Sequence, residues 1–93
     1  MSSKRQQLQD YRAFLLEADI DDRAAFQRAI IEAQSLLDMS TADMAQFCKC
    51  ACPTVEIWSR GEAAPYHGMR KVIFDRLAEI ASKESRRLES GSE

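Results

Sequence analysis

The sequence predicts an all-α protein: a compact bundle of about five helices with an N-terminal helical extension. Three observations carry this. Apolar residues recur at spacings of three and four along most of the chain, the period of a helix with one buried face. Gly and Pro together number only five, too few for an architecture of strands and tight turns. Helix-starting residues stand directly before two of the periodic runs. The 93 residues make one domain, 45% apolar and 30% charged, with enough material for a single core and a solvated surface.

The first run, "KRQQLQDYRAFLLEA", places Leu8, Tyr11, Leu15 and Ala18 on one stripe with Phe14 and Leu16 beside it. "DIDD" interrupts it, and Asp21 or Asp22 can accept from the free amides of the next helix. That helix, "RAAFQRAIIEAQSLLD", carries Phe26, Ile30, Ala33 and Leu37 on its apolar face, with Ile31 off it. In "MSTADMAQF", Ser40 or Thr41 caps a short helix, Asp43 sits in its first turn, and Met44, Ala45 and Cys48 point inward. After a break near 49–51, "CPTVEIWSR" tolerates Pro53 because first-turn amides lack intrahelical partners anyway. Gly61 ends that helix where a positive φ is needed. "EAAP" is a loop, and the run from Tyr66 to Leu88 is a long last helix with Met69, Ile73, Leu77 and Ile80 on its stripe. "ESGSE" reads as a frayed polar end. The domain reading is an extension at 1–21 that offers a dimer contact, a core unit at 22–83, and a polar tail at 84–93.

Two short helices separated by about three residues need a small side chain where their axes cross, and Ala45 supplies it. The second must bury one stripe and leave the opposite face free, and Val55 and Trp58 supply that stripe. This is the helix-turn-helix layout. The three alternate cysteines, Cys48, Cys50 and Cys52, lie across its turn, and the residues alone leave a metal or redox site and a purely structural role both open.

At these positions the sequence resembles the phage repressor and Cro-like, or XRE, family of helix-turn-helix transcriptional regulators. The family pattern is Leu-Ala, a β-branched residue ten positions after the alanine, an aromatic or Leu three later, Gly three later and Pro four later. Met44–Ala45, Val55, Trp58, Gly61 and Pro65 stand in this register, and Leu37 and Met39 match the end of the family's first helix. The resemblance spans roughly residues 24 to 80. It implies that Cys48 and Cys50 act as small buried hydrophobes and that only Cys52 faces out. Zinc sites use Cys-x₂₋₄-Cys with a second ligand pair, and the only other soft ligand here is His67, so no metal and no cofactor is expected. Trp58 is expected in the core. Asp19, Asp21 and Asp22 read as helix caps, because no Gly or later Glu completes a calcium loop.

Function would follow from the exposed face of the second helix, 52–60, since a helix fits the major groove and its N-terminal residues reach base edges. The resemblance assigns base-facing positions to Ala51, Cys52, Pro53, Thr54 and Ile57, with Glu56 alongside. Ser40, Thr41, Lys49, Arg60, Arg70 and Lys71 are the candidates for DNA-backbone contacts. Where many relatives have Gln or Arg, this chain has Cys, Pro and Ile, so readout would be mainly apolar contact with thymine methyls. It also carries Thr41 for the family's Gln, Lys49 for its turn Gly and Ser59 for its acidic residue. A left-handed Lys49 costs on the order of 1 kcal/mol, and Ala51 offers no side-chain cap.

The expectation is therefore a sequence-specific regulator of transcription: a homodimeric repressor reading a palindrome in double-stranded DNA. The alternative is a protein-interaction helix-turn-helix module, an antitoxin or anti-activator with a protein partner. Residues 39–71 hold four basic and three acidic groups, whereas acid is in excess on either side. No Gly-rich phosphate loop, nucleophile elbow or catalytic carboxylate pair appears, so no enzyme is expected. No window approaches the ~18 apolar residues of a membrane span. With no leader-like apolar region and an odd cysteine count, the expected location is cytoplasmic.

Overall fold

The computed structural model describes residues 3–90. Five helices follow one another: α1 (Lys4–Glu17), α2 (Arg23–Leu36), α3 (Thr41–Cys48), α4 (Cys52–Ser59) and α5 (His67–Ser90), with no strand among the described residues. No helix is long and apolar enough to cross a membrane.

Local chemistry accounts for the helix starts. The Ser3 hydroxyl accepts from the Gln6 amide at 3.1 Å, and the Asp22 carboxylate from the Ala24 amide at 3.0 Å. Ser40 and Asp43 form a reciprocal capping box at 3.0 and 3.1 Å. α4 begins without a side-chain cap at Ala51 and carries Pro53 in its first turn.

The ends of α2, α3 and α4 share one device. Asp38, Lys49 and Gly61 have φ of 56°, 59° and 77°, and each is followed by an amide that reaches back five residues, Met39 to Gln34, Cys50 to Ala45 and Glu62 to Ile57. This is the Schellman closure. The positive φ favours glycine at 61, and an added Cβ would also lie 2.8 Å from the Gln27 side-chain oxygen, which would have to shift. Lys49 carries the backbone cost without that constraint. Lys49→Gly is therefore expected to raise stability by about 1 kcal/mol, the relief at φ being partly offset by a freer unfolded chain. A thermal melt would show this as a rise of roughly 4–8 °C for a domain of this size.

The core gathers around Phe26. Its ring meets Trp58 edge-on at 5.4 Å and stacks on Phe74 at 6.1 Å, joining α2, α4 and α5. The α2 stripe is Phe26, Ala29, Ile30 and Ala33; Leu37, expected on it, sits half-buried at the C-cap, and Ile31 is exposed.

α1 and α5 form the most extensive helix pair. They run antiparallel, with Lys4 near Glu84 and Leu16 beside Ala78. Leu8, Tyr11 and Leu15 are buried, and the Tyr11 hydroxyl donates to the Ala29 carbonyl of α2 at 2.6 Å. Within the chain, α5 and α2 cover the α1 stripe. Leu16 instead faces solvent and Ala18 is half-buried.

The α5 stripe also differs from expectation. Ile73 and Leu77 are buried as expected, but Met69 and Ile80 are half-buried, and the inward face continues through Phe74, Ala78, Ala81 and Ser85. Small residues there let α1 approach closely, a property that hydrophobic period alone does not rank. α5 runs to Ser90, two residues past the expected helix end at Leu88 and into the polar end; residues 91–93 lie outside the described residues.

Candidate nucleic-acid interface

α3 and α4 make the candidate site, joined by the left-handed Lys49, Cys50 and the extended Ala51. Met44, Ala45 and Cys48 of α3 are buried, as are Val55 and Trp58 of α4. Ala45 lets the two axes approach, and its carbonyl receives the Cys50 amide at 2.9 Å, fixing the turn. With Val55 and Trp58 inward, the 100° step of a helix turns Pro53 to the opposite side. Cys52, Pro53, Glu56 and Arg60 are exposed, Thr54 and Ile57 half-buried, and Ala51 exposed just before the helix.

The thiols grade from inside to out: Cys48 buried, Cys50 intermediate, Cys52 exposed. Burial pushes the Cys48 thiol from an ordinary 9.0 up to about 11, with Cys50 adding and Arg76 opposing. Burial and then the neighbouring Cys52 also raise Cys50. At pH 8 an alkylating reagent is expected to label Cys52 fast, Cys50 slowly and Cys48 only on unfolding. Three equal fast rates in the native protein would overturn this grading. A folded-state value above the unfolded one gives a contribution to stability that is complete below pH 9 and is lost as pH rises through 11. Tyr11, raised chiefly by burial and then by Glu32, acts in the same direction from its ordinary 10.0 upward. Among the described residues no group of three or more His, Cys, Asp or Glu side chains is placed to hold a metal ion.

The candidate backbone contacts do not stand alike. Ser40 is exposed and Thr41 half-buried, with the Ser40 hydroxyl engaged in the capping box. Lys49 is exposed at the turn. Arg60 pairs with Glu62 at 3.0 Å and Lys71 with Asp75 at 3.2 Å. Such exposed pairs are worth ~0–1 kcal/mol, so a phosphate can replace either carboxylate at little cost. Arg70 is half-buried, and its Nε lies out of solvent without a hydrogen-bond partner.

Three supporting contacts had no signal in the sequence. Gln27 of α2 donates to the Ser59 carbonyl at 3.0 Å, holding the end of α4 across 32 residues of chain. The Arg76 guanidinium of α5 lies 4.6 Å over the Phe47 ring and reaches the Phe47 carbonyl at 3.5 Å, placing a cation at the negative end of α3. The third contact corrects a role. Asp21 does not cap α2; its carboxylate meets His67 Nδ1 at 2.7 Å, pinning the α1–α2 loop to the start of α5, while Asp19 accepts from the Asp21 amide. Against known proteins, no family model, characterised protein or solved structure matches the chain.

Proposed function

We propose that this protein is a sequence-specific DNA-binding regulator, a homodimeric repressor that acts in the cytoplasm by occluding a palindromic operator, and not an enzyme. One observation carries the reading. Ala45, Val55 and Trp58 are buried together while Cys52, Pro53, Glu56 and Arg60 project from the other side of α4. That arrangement suits a short helix offered to a major groove, with the capped start of α3 near the backbone. One such module makes few phosphate contacts, which favours a dimer with its two α4 helices about 34 Å apart. The exposed sides of α5, where Val72 lies, and of α1, where Leu16 lies, are the candidate dimer surfaces.

The test is selection from random duplex DNA at low salt, combined with sizing of the free and bound protein. An enriched palindrome, retained by a dimer and released steeply as salt rises, is the expected result. Failure to enrich any sequence would end the reading. The acidic balance of the chain and the apolar face of α4 favour a second reading, a module that binds a protein partner. Lys49→Ala with Arg60→Ala separates the two, abolishing DNA retention under the first and leaving cellular activity intact under the second.

A further inference from the structure

The outward face of α4 is unusual in what it lacks, and the inference drawn from it rests on the DNA-binding reading above. Pro53 stands at the centre of that face, with Cys52 and Glu56 on one side, Ile57 on the other and Arg60 at the far end. None of Cys52, Pro53 and Ile57 can make a bidentate pair with a base. Glu56, when ionised, only accepts. Guanine presents two acceptors in the major groove, so Glu56 opposes it; cytosine presents an amino donor that Glu56 can take. For apolar side chains the groove holds one matching feature, the methyl group on C5 of a pyrimidine. Lys49 and Arg60 bracket the face with positive charge, which suits the phosphates that border a groove.

We propose that α4 reads pyrimidine C5-methyl groups through Pro53, Ile57 and Cys52, with Glu56 accepting from cytosine and excluding guanine. Two bases carry that methyl, thymine and 5-methylcytosine. The second places methyl and amino groups side by side, matching the adjacency of Pro53 to Glu56, three residues apart on α4.

The experiment takes the duplex recovered by selection and prepares it in three forms: with ordinary bases, with uracil for thymine, and with 5-methylcytosine for cytosine. Removing a contacted methyl is expected to weaken binding about fourfold per contact, and adding one to tighten it by a similar factor. A response to uracil alone assigns the methyl to thymine, and a response to 5-methylcytosine alone assigns it to cytosine. Equal affinity for all three forms overturns methyl readout and leaves DNA binding standing. A selection that recovers no duplex overturns both. In the variant Pro53→Ala with Ile57→Ala the affinity ratio between thymine and uracil duplexes is expected to fall toward one; discrimination that persists in it places the readout elsewhere. Should that variant fold poorly, Glu56→Gln, altered at an exposed position, is expected to admit purines at the contacted cytosine. Unchanged base preference in Glu56→Gln overturns its role.

Discussion

Truncating Phe26 to alanine is expected to cost about 3–5 kcal/mol, a large share of the ~5–15 kcal/mol that holds a small domain together. The ring is buried and touches both Trp58 and Phe74, so its loss opens a void at the meeting point of α2, α4 and α5. The aromatic pairs themselves are worth ~0.5–1.5 kcal/mol each beyond their buried area. Denaturant unfolding followed by the fluorescence of Trp58, the only tryptophan, measures the change directly. The folded-state emission should shift as well, since Trp58 loses its edge contact. Leu16→Ala, at a side chain 57% exposed, is the control and should stay within about 0.5 kcal/mol. A loss below ~1 kcal/mol in Phe26→Ala would mean that the core does not assemble around this ring.

Deleting residues 1–18 is expected to abolish cooperative unfolding altogether. Leu8, Tyr11 and Leu15 are each fully or almost fully buried, and burying such side chains contributes ~1.5–3 kcal/mol apiece. Deletion also uncovers the inward face of α5, including Leu77, Ala78, Ala81 and Ser85, and leaves Ala29 without the Tyr11 hydroxyl. Reading residues 1–21 as an extension that serves a dimer makes the opposite prediction, a remainder that stays folded and becomes monomeric. A sharp thermal transition at an unchanged midpoint in the shortened chain would favour that alternative; a broad or absent transition is the result expected from the packing.

These two changes mark where local sequence information is enough and where it is not. The helix starts, to within the pairs Asp21/Asp22 and Ser40/Thr41, the stop at Gly61 and the inward set Met44, Ala45, Cys48, Val55 and Trp58 were legible, because each follows from a period or from a bond closed within a few residues, whereas the outward Cys52 followed only from the family resemblance. The left-handed Asp38 was not anticipated: aspartate tolerates that conformation but does not announce it. The partner of α1 was also hidden. Its stripe proclaims that something covers it, and only tertiary packing decides between α5 and a second subunit. Ala78, Ala81 and Ser85 form a close-packing face that a hydrophobicity count undervalues. At the candidate site, Cys52, Pro53 and Glu56 are exposed as expected while Thr54 and Ile57 are half-buried, and the Gln27 hold on Ser59 and the Arg76 position over Phe47 join residues 32 and 29 apart and leave no local trace.

Pairing the first helix with the last has a consequence for how the chain is made. During synthesis at roughly 5–20 residues per second, α1 emerges several seconds before α5 exists. Throughout that interval Leu8, Tyr11 and Leu15 have only part of their final surroundings, and the closing step must bring together segments some sixty residues apart. Closure of so long a loop carries an entropic penalty that is met only at the end. The nascent chain is therefore most prone to aggregate just before α5 leaves the ribosome.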